Sequence, residues 1–304
     1  MVEEPFRLEG FQELRLEDRD LVTGFLRRYP PEISELTFTN LFMWNHKNRF
    51  AWRIQEETLY LLAAPVAGAA PYLFPPAGPR LDVQAIERLL LAMKAAGVQG
   101  RMERVPARMA EPLQADLPGL TVAADRDNFD YVYSREALAT LAGRKYSRKR
   151  NHLKHFTGRH DWTYLPCNPT MVQQCLDLQE YWCALKHCEE FPNTAAEHRA
   201  INIALHHAES LLFSGAAIAV AGKIQAFTLG EALSPDTAVI HVEKANPEMD
   251  GLYPTLTHEY VKNAWAGVAW INREQDLGEP GLRQAKESFF PDHLVEKHTI
   301  QLTG

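Results

Sequence analysis

The chain has 304 residues with a formal net charge of −7, and hydrophobic and charged residues make up 46% and 23% of it. This length suits two domains, the composition is that of a globular protein, and the charge argues against a general nucleic-acid coat protein. The first ten residues lack the basic and apolar segments of a signal peptide, so we expect a cytoplasmic location. The uncharged run 59–79 is as long as a membrane span, but five prolines interrupt it, so no transmembrane segment is expected.

The first half of the chain predicts alternating helices and strands. For the helix at 18–29 we expect Leu21, Phe25 and Leu26 to face the core. The predicted elements are helices at 18–29 and 82–96, a short helix or turn at 37–44, strands at 50–55, 58–64, 71–74 and 98–105, a short helix at 106–114, and strands at 120–124 and 129–134.

The second half repeats this order. It predicts helices at 169–187, 195–213 and 281–290, a hairpin of strands 216–221 and 224–231, and a final strand at 295–302. In the last helix we expect Leu282, Ala285 and Phe289 to be buried. The fold class is therefore a mixed α/β (α+β) architecture with central sheets flanked by helices, divided into domains 1–140 and 141–304.

The stretch 237–278 predicts a strand, a loop, a helix and a second strand. Alternation in the first strand places Val239, His241 and Glu243 on one face and Lys244 on the other. The helix follows Gly251, with Asp250 as its expected N-cap and an apolar stripe of Leu252, Leu256, Tyr260 and Ala264. Both strands end in charged or amide side chains, and ligands in open α/β sheets bind at the carboxyl ends of strands. We therefore expect the functional site here; the alternative is that these charges simply reach solvent.

The segment 144–154, RKYSRKRNHLK, contains six lysines and arginines and no acidic residue. On a helix, one face would carry four basic side chains: Lys145, Arg148, Lys149 and His152. A solvated helix normally mixes charges of both signs, so the unrelieved positive charge favours a phosphate-rich ligand over a plain surface helix.

The four cysteines are Cys167, Cys175, Cys183 and Cys188. Their spacing contains no CxxC pair, so we expect structural thiols in a reducing compartment. A zinc site built from Cys183, His187 and Cys188 is the weaker alternative because a fourth ligand is not evident. No metal is expected.

Five motifs resemble one family: RKYSRKRNHLKHF, GKIQAFTLGEAL, DTAVIHVEKA, GLYPTLTHEYV and WINREQDLGEPGLRQAKESFFP. Together they look like the soluble bacterial proteins grouped with the C-terminal domain of phosphatidylglycerol lysyltransferases, most strongly from Arg144 onward. The resemblance implies two tandem GNAT-like domains, as in the Fem-type transferases that draw on aminoacyl-tRNA. It implies no permanently bound cofactor. The co-substrate would be aminoacyl-tRNA or acyl-CoA, and the acceptor a small molecule, peptide or lipid head group.

The turn NPEMDGLY bears on the choice of co-substrate. It has one glycine and two acids, so it is poorly suited to hold the pyrophosphate of CoA. Three functions remain open. They are an aminoacyl-tRNA-dependent transferase, an acyl-CoA-dependent N-acyltransferase, and a catalytically silent GNAT-like module that binds RNA or nucleotides.

Acyl transfer needs a base, donors for the developing oxyanion, and firm positioning. Glu243 is the first candidate for the base, or for the carboxylate that holds the amine, and His241 is the alternative base. The substrate-binding candidates are Lys244, Arg273 and Arg283 for phosphate or the oxyanion, Asn272 and Glu274 for an ammonium group, and Tyr253. The N-terminal domain lacks comparable charged strand ends, so we expect it to be a scaffold or an acceptor surface.

Overall fold

The computed structural model describes residues 6–66 and 69–303. Residues 1–5 of the amino-terminal segment, residues 67–68 of the uncharged run, and residue 304 lie outside this description. The first elements are β1 Gln12–Glu13, α1 Arg19–Arg28, α2 Phe38–Asn48, β2 Phe50–Gln55, β3 Thr58–Ala63, β4 Tyr72–Leu73, α3 Val83–Ala95, β5 Arg101–Pro106, α4 Ala107–Asp116 and β6 Leu120–Ala124.

The second half of the chain adds a longer series. It comprises β7 Asp130–Ser134, α5 Arg135–Thr140, α6 Ser147–Thr157, β8 Trp162–Pro166, α7 Val172–Lys186, α8 Pro192–His206, β9 Ser214–Val220, β10 Lys223–Ala232, β11 Thr237–Ala245, α9 Leu252–Ala264, β12 Trp270–Asn272, α10 Pro280–Glu287, β13 His293–Val295 and β14 Lys297–Leu302.

The helices and the two mixed sheets confirm the mixed α/β fold class. The chain forms two compact units. Unit 1 contains Met1–Asp130, Gln275–Glu279 and Val295–Gly304, and unit 2 contains Tyr131–Glu274 and Pro280–Leu294. The sequence suggested a single cut between residues 140 and 141, whereas unit 1 also includes two later segments. The functional labels given to the two halves stay a prediction.

Unit 1 is built on a sheet with the strand order β1-β2-β3-β4-β5-β14-β6. Asp82 is the N-cap of helix α3, and its side chain accepts a hydrogen bond from the backbone N–H of Ala85. Leu90 of α3, Leu113 of α4 and Ile300 of β14 meet in its core. The carboxyl-terminal strand is thus an interior strand of this sheet.

A buried ion network crosses unit 1. The ammonium group of Lys297, which is 0% exposed, lies 2.6 Å from both Glu35 Oε2 and Asp130 Oδ1. Arg104 Nε lies 3.2 Å from the other Glu35 oxygen. Lys297 and Arg104 belong to β14 and β5, so the sheet of unit 1 carries charged side chains in its interior. The role of the N-terminal domain as a scaffold or acceptor surface stays a prediction. The sequence separation of 262 between Lys297 and Glu35 hid the network.

Unit 2 is built on a sheet with the strand order β13-β7-β12-β11-β10-β9-β8, in which β11 and β12 are parallel. Helix α9 covers part of this sheet with the expected apolar stripe. Leu252 and Leu256 pack with Phe156 of α6, and Tyr260 packs with Leu138 of α5 and Ile240 of β11.

Two predictions of which helix residues face the core were wrong in part, because the apolar pattern of a short helix did not fix its orientation. In α1, Val22 and Leu26 are buried, whereas Leu21 is 44% exposed. In α10, Leu282 is 40% exposed and Lys286 is buried instead. Residues 281–290 contain no large aliphatic residue besides Leu282, so the sequence pattern could not fix which side of this helix faces the core.

Some element ends also differ from expectation. Helix α8 ends at His206 rather than at residue 213, and strand β8 was not predicted at all. The N-cap of α9 is Gly251, with a φ of 84°, and no side chain caps the helix, so the assignment of Asp250 was wrong. A left-handed backbone at this point suits glycine. The carboxylate of Asp250 lies 3.6 Å from His152 Nδ1 instead.

Cys183 and Cys188 form a disulfide, while Cys167 and Cys175 are free thiols. The expectation that all four cysteines are free was therefore wrong, and the paired sulfurs are not available as zinc ligands. No helix in the described part of the chain combines the length and the apolar character that crossing a bilayer requires.

Candidate functional site

The centre of the site is an ion pair between β11 and the end of β12. Arg273 donates from Nε and Nη2 to Glu243 Oε2 at 3.1 and 2.6 Å. Thr257 of α9 donates its hydroxyl to the other oxygen of Glu243. The Arg273 and Glu243 side chains are only 13% and 14% exposed. Glu243 and Arg273, which the sequence placed in one site, are therefore in direct contact.

Arg273 retains one unused donor. Its Nη1 atom is buried and has no hydrogen-bond partner among the residues that the structure describes. The guanidinium carbon lies 4.7 Å from the Phe289 ring centre and 5.6 Å from that of Tyr133. Burial lowers the pKa of Arg273, but the Glu243 carboxylate outweighs it and raises that pKa. The site thus offers a permanently charged donor with spare capacity.

Thr228 provides a second unused group. It pairs directly with Glu243 across the β10–β11 ladder, so the two side chains share a face of the sheet. Its buried hydroxyl oxygen also has no hydrogen-bond partner within residues 6–66 and 69–303. Buried polar atoms are normally satisfied, so two such atoms beside one ion pair indicate a place where a ligand oxygen or nitrogen binds.

The basic segment reaches this site through Lys149. Its Nζ atom lies 3.7 Å from the Phe289 ring centre and donates to Ser288 Oγ at 2.6 Å. Phe289 therefore contacts both Lys149 and Arg273. Burial, followed by the charges of Arg273 and Arg148, lowers the pKa of Lys149 to about 8. The group remains mostly a cation at neutral pH and suits a phosphate.

The other basic candidates have separate surroundings. Lys145 lies 5.4 Å from the Phe290 ring centre, and Arg148 is exposed. His152 Nδ1 lies 3.6 Å from Asp250 Oδ1. Arg150 donates to the carbonyl oxygen of Gly143 at 2.7 Å, so it secures the turn before α6. Lys145 therefore lies before α6 and the other three lie on it, each with different contacts, and their binding of a phosphate-rich ligand stays a prediction.

His241 is enclosed by two carboxylates. Its Nδ1 lies 2.7 Å from Glu274 Oε1, its Nε2 lies 3.0 Å from Glu231 Oε1, and its side chain is 1% exposed. Burial lowers the pKa of His241, but these hydrogen bonds outweigh it and raise the pKa to about 9. The ring is thus an imidazolium at neutral pH, with both nitrogens engaged. In this arrangement it cannot accept a proton as a general base.

A β-bulge explains the position of His241. Leu229 pairs with Val242 and Gly230 pairs with Ile240, so the register of the ladder shifts by one residue at His241. Ile240 packs against Tyr260 of α9, and Glu243 also contacts α9. In a regular strand, two residues that are three positions apart face opposite sides of the sheet. Ile240 and Glu243 both contact α9, so the alternation is broken between them. The predicted common face for Val239, His241 and Glu243 was therefore wrong.

Lys244 lies in a second cluster. Its ammonium group is 2.9 Å from Glu197 Oε2 and 3.8 Å from the Trp182 ring centre. Trp182 donates from Nε1 to the hydroxyl of Tyr253 at 2.9 Å. Tyr253 and Lys244, two predicted substrate-binding residues, are thus linked by a tryptophan that the sequence analysis did not select.

The remaining candidates lie around β12 and α10. Asn272 is buried, and its side-chain oxygen accepts a hydrogen bond from the backbone N–H of Glu274 at 2.8 Å. Glu274 has a φ of 57° and follows the end of β12, so it does not continue the strand face of Asn272. Arg283 lies half-buried on α10.

Sequence reasoning missed four contact residues: Glu231, Thr257, Trp182 and Phe289. Glu231 ends the predicted hairpin strand, so the rule that selected Glu243 could have found it. Thr257 lies five residues after Leu252 on a helix whose apolar stripe was already recognised. Trp182 and Phe289 carried no signal beyond that of an ordinary core residue. Within the described residues, no group of three His, Cys, Asp or Glu side chains is arranged to hold a metal ion.

The fold and site together define a class of protein. Each unit joins antiparallel strands to a parallel pair, β4–β5 in unit 1 and β11–β12 in unit 2. This is the tandem GNAT-like architecture. It matches a tandem GNAT protein from the clavulanic acid biosynthesis pathway with a TM-score of 0.51 and 10% identity, covering 98% of this chain and 99% of the other.

The chain belongs to the family described as phosphatidylglycerol lysyltransferase, C-terminal, whose model matches residues 26–301. A conserved protein of unknown function from Bacteroides thetaiotaomicron is 33% identical, with a TM-score of 0.91 and coverage of 98% and 100% of the two chains. L-PGS from Bacillus licheniformis matches with a TM-score of 0.65, 15% identity and coverage of 93% and 91%. FemX matches with a TM-score of 0.59, 10% identity and coverage of 95% and 96%. The resemblance inferred from the motifs is confirmed.

Proposed function

We propose that this protein is an acyltransferase that moves an aminoacyl group from aminoacyl-tRNA to an amine or hydroxyl acceptor. The observation that carries the proposal is the buried Nη1 donor of Arg273, which has no partner within residues 6–66 and 69–303. The family supports the reaction class, since it is named for a lysyltransferase. The identity of the acceptor is left open between a small molecule, a peptide and a lipid head group.

In the proposed reaction, the nitrogen or oxygen of the acceptor attacks the carbonyl carbon of the aminoacyl ester. A new C–N or C–O bond forms, and the ester C–O bond to the tRNA ribose breaks. The carbonyl oxygen gains negative charge, and Arg273 Nη1 donates a hydrogen bond to it. The proton lost by the acceptor passes to Glu243 and then to the departing ribose oxygen.

Two other residues have supporting roles in this proposal. Lys149 contacts a phosphate of the donor, because its ammonium group and the Arg273 guanidinium both lie against the Phe289 ring and place two positive charges near one another. Thr257 positions the carboxylate of Glu243 by hydrogen bonding one of its oxygens. His241 is a positioning residue that ties β10 to the segment after β12 through its two carboxylates.

The direct test is an assay with a mixed pool of radiolabelled aminoacyl-tRNA and a mixture of amine and hydroxyl acceptors. The wild-type protein should transfer label from tRNA to an acceptor. Arg273→Lys keeps the charge but removes the forked donors, so we expect about a hundredfold lower kcat. Glu287→Gln, on the exposed side of α10, is the matched control and should leave the rate unchanged.

Two results would contradict the proposal. One is an undiminished rate for folded Arg273→Lys. The other is a rise in melting temperature with acetyl-CoA but not with aminoacyl-tRNA, which would favour the CoA-dependent alternative.

A further inference from the structure

Unit 1 contains a cavity of about 420 Å³ that the proposed reaction does not use. Its walls include five prolines: Pro30, Pro31, Pro75, Pro76 and Pro106. Proline has no backbone N–H and a fixed φ, so these walls are rigid and poor in hydrogen-bond donors. A ligand would therefore meet apolar, preorganised surface over most of its body.

The inner part of the cavity is apolar as well. Ile33 and Leu36 line it and are both buried, at 1% and 3% exposure. Leu81 and Met109 add aliphatic surface. The volume lies within the range of about 300–1,000 Å³ that is usual for small-molecule sites.

The charged groups of the cavity are of mostly one sign. Arg28, Arg80 and Arg108 contribute three positive charges and Glu32 contributes one negative charge, which leaves a net charge of +2. Arg108 is paired with Glu32. Arg28 and Arg80 are exposed. On a chain with a net charge of −7, a cationic rim over an apolar interior selects for anions.

We propose that this cavity binds a small organic anion with an apolar body. The apolar part contacts the proline walls and the aliphatic floor, and the anionic group is bound by Arg28 and Arg80. Because the walls offer few backbone donors, the guanidinium groups are the main source of recognition for a carboxylate or sulfonate. Every lining residue belongs to unit 1, so this site does not depend on the Glu243–Arg273 pair.

The experiment uses the full chain and two fluorescent probes of similar shape. The first probe is 1-anilinonaphthalene-8-sulfonate, which carries an anionic group, and the second is neutral N-phenyl-1-naphthylamine. We expect the Arg28→Gln/Arg80→Gln double variant to bind the sulfonate at least tenfold more weakly. Its affinity for the neutral probe should change less than twofold.

The matched control is Arg27→Gln/Arg88→Gln, which removes the same charge from exposed positions of unit 1 that do not line the cavity. It should bind the sulfonate as the wild type does. Met109→Trp fills apolar space in the cavity and should weaken both probes at least fivefold. Decanoate should displace the sulfonate, whereas 1-decanol should need a much higher concentration.

Equal loss of sulfonate binding in the two double variants would overturn the proposal, since net charge alone would then explain the binding. Unchanged binding of both probes to folded Met109→Trp would overturn it too, because the probes would lie elsewhere. We expect Glu243→Gln to bind the sulfonate as the wild type does. Absence of transferase activity in the wild-type protein would contradict the proposed function but not the binding of an anion in this cavity.

Discussion

At the scale of single residues, the Glu243–Arg273 pair sets the character of the site. Both side chains are largely withdrawn from water, so each charge depends on the other for its stability. The arrangement also commits one guanidinium edge to Glu243 and leaves the other available. A tight pair with a free edge can hold its position while it binds a reacting oxygen.

The first prediction concerns this pair. Glu243→Gln leaves the Arg273 charge buried without its partner, so we expect the free energy of unfolding to fall by about 3 kcal/mol. Glu243→Gln/Arg273→Met removes both charges and should lose less than the single variant. Urea unfolding followed by circular dichroism measures both, with Glu287→Gln as the exposed control. Equal losses in the single and double variants would show that the unpaired Arg273 charge is not what destabilises Glu243→Gln.

The second prediction concerns the charge of His241. Its folded pKa of about 9 lies above the ordinary value of 6.5. Its contribution to stability is therefore complete below pH 6.5 and is lost as the pH rises through 9, by roughly 3 kcal/mol in all. Titration of the imidazole resonances by NMR should give a midpoint near pH 9. A midpoint near 6.5 would mean that the two carboxylates do not hold the ring.

Between about pH 8 and pH 9, the ionisation of Lys149 has the opposite effect to that of His241 on the free energy of unfolding. The pKa of Lys149 is lowered to about 8 from an ordinary value of 10.5, so its contribution to stability rises with pH between these values. A global pH–stability curve therefore mixes two opposed effects above pH 8. For this reason the histidine is better followed by its own resonances than by stability alone.

At the scale of elements, the close approach of α6 and α9 depends on one glycine. Gly251 has a φ of 84°, and a Cβ atom at this position would lie 2.4 Å from the carbonyl oxygen of His152. The loop before α9 thus passes against the backbone of the helix that carries Lys149. This packing keeps the basic segment beside the site.

The third prediction separates backbone strain from this contact. Gly222 has a similar φ of 79°, but a Cβ atom there would meet nothing within 4 Å. Gly222→Ala should therefore cost only the left-handed strain, about 1 kcal/mol. Gly251→Ala should cost at least about 3 kcal/mol because the added atom also displaces α6. Similar losses of unfolding free energy in the two variants would show that α6 moves aside without difficulty.

The sequence predicted this region well where one local rule decided the structure. The apolar stripe of α9 and the contact of Glu243 with Arg273 followed from periodicity and strand ends. The bulge at His241 did not, because the pairing of β10 with β11 sets it and the residues of β11 alone carry no sign of it. The burial of Lys286 in place of Leu282 likewise depends on distant parts of the chain. Its ammonium group lies 5.9 Å from the ring centre of Tyr131 in β7 and donates to the carbonyl oxygen of Arg273, which follows β12.

At the scale of the whole molecule, chain order and structural units do not coincide. The final strand β14 pairs with β5 on one side and β6 on the other. It also supplies Lys297 to the buried carboxylates of unit 1, where burial raises the pKa of Glu35. The first unit is therefore completed only when strand β14 has joined β5 and β6.

The fourth prediction follows from this order. A fragment of residues 1–140 leaves the facing edges of β5 and β6 unpaired. It also removes the Lys297 ammonium group, which leaves Arg104 as the ion-pair partner of Glu35 and takes from Asp130 its ion pair with Lys297. We expect it to show no cooperative urea unfolding by the fluorescence of Trp44 and Trp52. Addition of a peptide of residues 291–304 should restore a cooperative transition, since it supplies both the strand and the ammonium group. The same peptide with Lys297→Met supplies the strand alone and should restore much less. Cooperative unfolding of the fragment without any peptide would show that unit 1 is stable with its sheet split, and that the returning strand is an addition to a complete fold.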